Sequence, residues 1–161
     1  MASDIFAKIG DIKGESRDVK HKDEIEVLSW SWGVSQTGSV THAGGGGGAG
    51  KATFQDFTFT HHIDKASPLL MKSCATGVHI PEATITVRKA GKGQQDYLII
   101  KMTDVLITGV ALSLASDDSS GAENVTLQSA KIDLEYKAQK PDGSLDVGLH
   151  FKYDIKANKV G

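Results

Sequence analysis

Apolar and polar residues alternate along most of this chain, and a period of two marks half-buried β-strands. In the stretch Ile25 to Val34, the residues Leu28, Trp30, Trp32 and Val34 share one face, and Ser29, Ser31 and Gly33 lie on the other. In Thr53 to Thr60, Phe57 and Phe59 share a face. Ala83 to Arg88 alternates cleanly, as does Val147 to Ile155. Tyr97 to Thr103 is denser in apolar residues, as in a strand buried on both faces, and Val105 to Leu114 continues it beyond Asp104. Between Asn124 and Tyr136 the apolar parity changes, from Val125 and Leu127 to Ala130, Ile132, Leu134 and Tyr136. One extra residue near Gln128-Ser129 reconciles the two halves, which predicts a β-bulge there.

One segment departs from the alternation. Residues 64–77 predict a short helix, with Asp64 or Ser67 as its cap and Pro68 in the first turn, where a missing N–H does no harm. Gly77 supplies the left-handed C-terminal position. Ala66, Leu70, Ser73, Cys74 and Gly77 fall near one stripe. The outline is mainly β: about eight strands in a two-sheet barrel or sandwich, with one short helix on its side. Gly44 to Gly48 are consecutive and Gly50 follows, inside a polar stretch. This composition predicts one long flexible loop over residues 36–52. Only 35 residues precede the loop, too few for a separate core, so residues 1–161 are expected to form one domain.

Composition narrows the function. The 18 Lys+Arg against 20 Asp+Glu give a net charge of −2, and only Arg17 and Arg88 are arginines. Nucleic-acid binding therefore has no electrostatic basis. The single cysteine, Cys74, excludes an intrachain disulfide framework and a multi-thiolate zinc site. No apolar run reaches the roughly 18 residues that span a bilayer, so no membrane insertion is expected. Met1 to Ile5 lacks a basic start before a long apolar stretch, so no secretory signal peptide is expected.

Candidate chemistry is sparse. Gly45 to Gly50 fits G-x-G-x-x-G, and Lys51-Ala52 extends it towards a P-loop. Both motifs need an apolar strand before and a helix after; here a polar stretch precedes, a strand-like one follows, and Ala52 replaces the magnesium-binding hydroxyl. Among the six histidines, His61-His62 is a pair, but neighbours on a strand point to opposite faces. The histidines read as structural or surface residues. Asp117-Asp118 and Glu123 flank a plain turn and lack EF-hand spacing. G-x-S-x-G is absent, and Cys74 on an apolar stripe reads as an inert thiol. Trp30 and Trp32 read as core packing, the alternative being a ligand-stacking surface. No catalytic, metal or cofactor site is expected.

The ordered residues resemble one family, the haemolysin-coregulated proteins, tube subunits of bacterial type VI secretion systems. Asp4 to Ile9 followed by Ile12 to Ser16 is similar to the family's opening strand and turn, and Ile25 to Gly33 to its second strand. Phe57 to Thr60 with Asp64 to Leu70 resembles its most distinctive stretch. Gly77, Ala83 to Lys89, Tyr97 to Met102, Leu134 to Lys137 and a turn at Gly143 continue in order. The final strand carries Phe151 and Tyr153 where many members have a tryptophan.

The resemblance implies a two-sheet β-barrel with a helix on its side. It implies six-membered rings stacked into a tube, assembly in the bacterial cytoplasm, and export without a signal peptide. The implied partners are further copies of the chain, a spike protein at the tip, a contractile sheath and small effector proteins in the lumen. A globule of 161 residues is about 40 Å across, so six in a ring leave a hole of roughly 40 Å. Such a ring uses heterologous contacts, and stacking needs a further one. The expected stacking element is the glycine-rich loop: Thr41, His42, Gly44, Gly45, Gly46, Gly47, Gly48, Gly50 and Lys51. The alternative is a monomeric ligand-binding β-barrel module, which exposed Trp30 and Trp32 would favour. An enzyme would instead need a deep cleft lined by convergent polar groups.

Overall fold

The period-two stretches become strands, several of them cut where a strand changes partner. The computed structural model describes residues 3–38, 50–90 and 93–161. Along them run β1 (Ser3–Ile9), β2 (Ile25–Glu26), β3 (Ser29–Ser31), β4 (Val34–Gln36), β5 (Ala52–Phe54) and β6 (Phe57–His61). Helix α1 (Ser67–Thr76) follows, then β7 (His79–Lys89), β8 (Asp96–Ser113), β9 (Ala122–Tyr136), β10 (Leu149–Asp154) and β11 (Lys159–Val160). The two apolar runs on either side of Asp104 are thus one strand, β8.

The β8–β9 hairpin is the spine. One edge of β9 pairs with β8 along its length; the other pairs with β6 over residues 123–127 and with β10 over 131–136. Beyond β8 the sheet continues through β7, β1 and β2. The segment 25–31 then changes hands. Its first residues pair with β1, ending with Val27 N–H to the Ile5 carbonyl at 2.9 Å. Its last pair with β6, beginning with Leu28 N–H to the Thr60 carbonyl at 2.8 Å. The expected barrel is not closed by strand ladders: β1 and β6 do not pair with each other, and segment 25–31 is the link between them.

That hand-over corrects the expected face. Trp30 and Trp32 are half-buried against the core, but Leu28 and Val34 are exposed. Buried parity shifts at the hand-over from Ile25 and Val27 to Trp30 and Trp32; Leu28 lies at the crossing and Val34 has already entered β4, which pairs with β5, so the four residues do not form one buried row. Phe57 and Phe59 do share the buried face, packed with Ile9, Ile25, Ile85, Ile100, Met102 and Leu127. The bulge also lies elsewhere than expected. In β9 buried parity does change, from Val125 and Leu127 to Ile132, yet the β8–β9 register holds across Gln128-Ser129. The change is shared: β8 passes from Ile100 and Met102 to Val105 and Ile107 opposite it. Asp104, at φ 55°, lies at that crossing. The register shift falls on β8, between Ile107 and Gly109.

Helix α1 lays Leu70 into the core, with Ser73 and Cys74 half-buried. Pro68 sits in its first turn and Gly77 closes it at φ 64°, both as the sequence predicts. The cap differs: Ala66 holds that position without a side-chain bond. Asp64 acts one step earlier, its Oδ1 accepting from Ala66 N–H and its carbonyl from Ser67 N–H.

Candidate assembly surface

A two-stranded ribbon flanks the glycine-rich stretch in sequence. β4 and β5 pair only with each other: Val34 with Phe54, Ser35 with Thr53, Gln36 with Ala52. Residues 36 and 52, expected at the ends of a loop, are therefore strand residues. Every residue of β4 is exposed, as are Gly50 and Lys51. Thr41, His42, Gly44, Gly45, Gly46, Gly47 and Gly48 lie outside the described residues.

The ribbon continues the β3–β6 pairing outward after a two-residue break on each strand, spanned by Gln55 N–H donating to the Gly33 carbonyl at 2.8 Å, and side chains pack against its foot. Phe54 stacks on Trp32, with centroids 5.8 Å apart, and packs against Tyr153 at 4.8 Å and Phe151 at 6.4 Å. Tyr153 O–H donates to Asn158 Oδ1 at 2.6 Å, which ties the β10–β11 turn to the same group. Each aromatic pair adds about 0.5–1.5 kcal/mol beyond the area it buries. Trp30 stacks on buried Phe57 at 5.5 Å. Both tryptophans thus pack against their own chain, which argues against the ligand-stacking module.

Exposed apolar residues lie at both ends of the β8–β9 hairpin, while others, among them Val19, Leu69, Met71, Val78 and Val160, are scattered elsewhere. Leu112 and Leu114 lie at its turn end, with Ile63 and Leu114 both approaching Gly121. At the other end Leu149 pairs with Tyr136, and Val147 precedes it. Leu112 pairs with Glu123, so thirteen residues of β9 separate the two ends, roughly 40 Å at about 3.3 Å per residue.

Two polar networks hold elements together. Arg88, buried in β7, makes a bidentate bond to Asp18 at 2.9 and 2.7 Å and a third to Asp4 at 3.0 Å. Its guanidinium lies 5.0 Å over the Phe6 ring, which stacks on His21 at 4.3 Å. Hydrogen bonds from Arg88 and from the Lys20 and His21 amides hold the Asp18 carboxyl down to about 2. This network pins the connection between β1 and β2 onto β7.

The second network centres on a fully buried pair. His61 Nε2–H donates to Glu123 Oε1 at 2.6 Å, and both side chains are 0% exposed. The Asp64 carboxylate stands 3.7 Å from His61 Nδ1. Burial alone would favour neutral imidazole, but the Asp64 and Glu123 carboxylates outweigh it, and the pKa of His61 is raised. The expectation of a structural histidine holds here. Its partner, 62 residues away in sequence, is legible only by parity. His61 falls on the face of Phe57 and Phe59, and Glu123 on that of Val125 and Leu127. Elsewhere His79 pairs with Asp104 at exposed positions, and exposed His150 with half-buried Asp133 and Glu135. Among the described residues no three His, Cys, Asp or Glu side chains converge to hold a metal ion.

Known proteins share this fold. The family model described as "Type VI secretion system effector, Hcp" matches residues 6–136. Protein hcp1 of Pseudomonas aeruginosa is 49% identical over 160 residues, covering 98% of each chain. The solved structure of Hcp1 from Salmonella typhimurium superposes with a TM-score of 0.81 at 42% identity, covering 99% of both chains. A structure described as a type six secretion system protein superposes with a TM-score of 0.92 at 26% identity, covering 98% of this chain and 99% of that one. On this match of family model, sequence and fold, the chain belongs to the Hcp family of type VI secretion proteins.

Proposed function

We propose that copies of this chain join into six-membered rings, that the rings stack into a tube, and that the chain serves as a structural subunit with no reaction of its own. The observation that carries this reading is the pair of unlike apolar ends on the β8–β9 hairpin. A ring needs heterologous contact, in which one surface of each copy meets a different surface of the next. Ile63, Leu112 and Leu114 at one end, and Val147 and Leu149 at the other, supply two different surfaces. The exposed β4–β5 ribbon supports the second contact, between rings, through Gly50, Lys51 and the glycine-rich segment beyond them. Ordering many glycines on docking costs chain entropy, which keeps such a contact weak and reversible. Assembly takes place in the bacterial cytoplasm, and the tube then leaves the cell with its spike, driven by the sheath. Small effector proteins travel in the lumen.

Mass in solution tests the ring. A species near six times 17.1 kDa is expected, and a chain that stays single at high concentration refutes it. Deleting residues 44–50 tests the ribbon: rings of unchanged mass that no longer stack are expected, and unchanged stacking removes this segment from the account.

A further inference from the structure

The β4–β5 ribbon leaves β3 and β6 through a break spanned by one backbone bond, from Gln55 N–H to the Gly33 carbonyl, and two-stranded ribbons are at best marginally stable alone. Its direction therefore has to come from its foot. Within the ribbon only Phe54 packs its ring on other aromatic rings: Trp32 before β4, and Phe151 and Tyr153 on β10. Phe151 and Tyr153 also pack on each other at 6.0 Å. β10 is laddered to β9, so these two rings are fixed to the spine. We infer that Phe151 and Tyr153 are positioning residues for assembly: through Phe54 they aim the ribbon, and β10 thereby sets the angle at which one ring meets a second copy.

This inference rests on the reading of the ribbon as the stacking element, and goes beyond it by assigning control to a strand far away in sequence. Aromatic rings suit the task. Each is large and rigid with two side-chain torsions, so stacking fixes an orientation at small entropy cost. Gln55 N–H donates to the Gly33 carbonyl at 2.8 Å, which makes the base of the ribbon a fixed pivot. An aliphatic foot would bury area there without fixing the angle.

The test compares Phe151→Ala/Tyr153→Ala with the parent protein, with deletion of residues 44–50 alongside. A nitroxide is placed at exposed Ser35 on β4, as Ser35→Cys with Cys74→Ser. The expected result is a faster nitroxide spectrum, single rings of unchanged mass, and loss of stacked particles. Phe151→Trp/Tyr153→Phe, which keeps two rings at the foot, should restore both the parent spectrum and stacking. An unchanged nitroxide spectrum in the alanine variant overturns the inference. So does parent-like stacking of that variant where the deletion abolishes stacking, and the ribbon's own role then stands. If the deletion leaves stacking unchanged, the role of the ribbon fails, and the spectrum alone decides whether the foot aims it. Should the double alanine variant form no rings, Phe54→Leu replaces it: it keeps apolar volume but removes ring stacking. Its loss of stacking supports the inference, and parent-like stacking refutes it.

Discussion

Replacing Glu123 with glutamine removes the charge that His61 faces and leaves the side chain's volume in place. Both partners are fully buried and 2.6 Å apart. Removing one member of such a pair typically costs about 3–5 kcal/mol, because the survivor is left charged and unsolvated. Histidine has an exit that lysine lacks, since an imidazole near neutral pH releases its proton when the counter-ion goes. The expected loss at pH 6.5 is therefore lower, about 2–3 kcal/mol, in the range for a hydrogen bond to a charged group. The pH dependence carries a definite sign. The His61 pKa is raised above 6.5 on folding, so its stabilisation is complete below that value and is lost as pH rises through the folded value. Urea unfolding of parent and Glu123→Gln at equal protein concentration, from pH 6 to 9, measures this. The gap in stability should be widest at pH 6 and close towards pH 9. A gap that stays constant, or widens with alkali, refutes a protonated His61; no gap at all refutes the energetic importance of the pair.

Two further substitutions probe the scaffold. Leu70→Ala empties a site that is 0% exposed, and should cost about 2–5 kcal/mol in urea unfolding, against under 1 kcal/mol if helix α1 were merely laid on the surface. Arg88→Lys removes the bidentate fork that holds Asp18, so the Asp18 carboxyl, held at about 2, should climb towards 3.8 in a carbon-13 titration. Because that group is depressed by folding, its contribution is present above about 3.8 and disappears as pH falls through 2. The variant should therefore lose less stability than the parent across that interval, and a carboxyl still at 2 contradicts the assignment.

How far the sequence could be read follows from how local each signal is. Phe57 with Phe59, and Ala83 with Ile85 and Val87, declare their strands because neighbours two apart share one environment throughout. Ile25 to Val34 misleads, since its start answers to β1, its middle to β6 and Val34 to β5, and periodicity carries no sign of a change of partner. The change of parity near Gln128 is real, but its cause is a crossing shared with Asp104 on the opposite strand, invisible in one stretch alone. Pro68 and Gly77 locate helix α1 because they act through their own backbone torsions. Asp64 misleads as a cap because its side chain reaches Ala66 N–H, one residue short of the helix. The pairing of His61 with Glu123 and the aromatic foot under Phe54 depend on long-range topology; only parity hints at the first.

The segment 25–31 has a consequence for how the chain comes to be folded. It must find β1 on one flank and β6 on the other, and these strands are themselves held by β7 and β9, some eighty and sixty-five residues distant. Such distant closures are slow, because chain entropy is surrendered before contact energy returns. The final stitch therefore waits for residues as late as 127 to leave the ribosome, and until then Ile25 and Val27 lack their cover. A nascent chain stalled before β9 would be the species most in need of a chaperone.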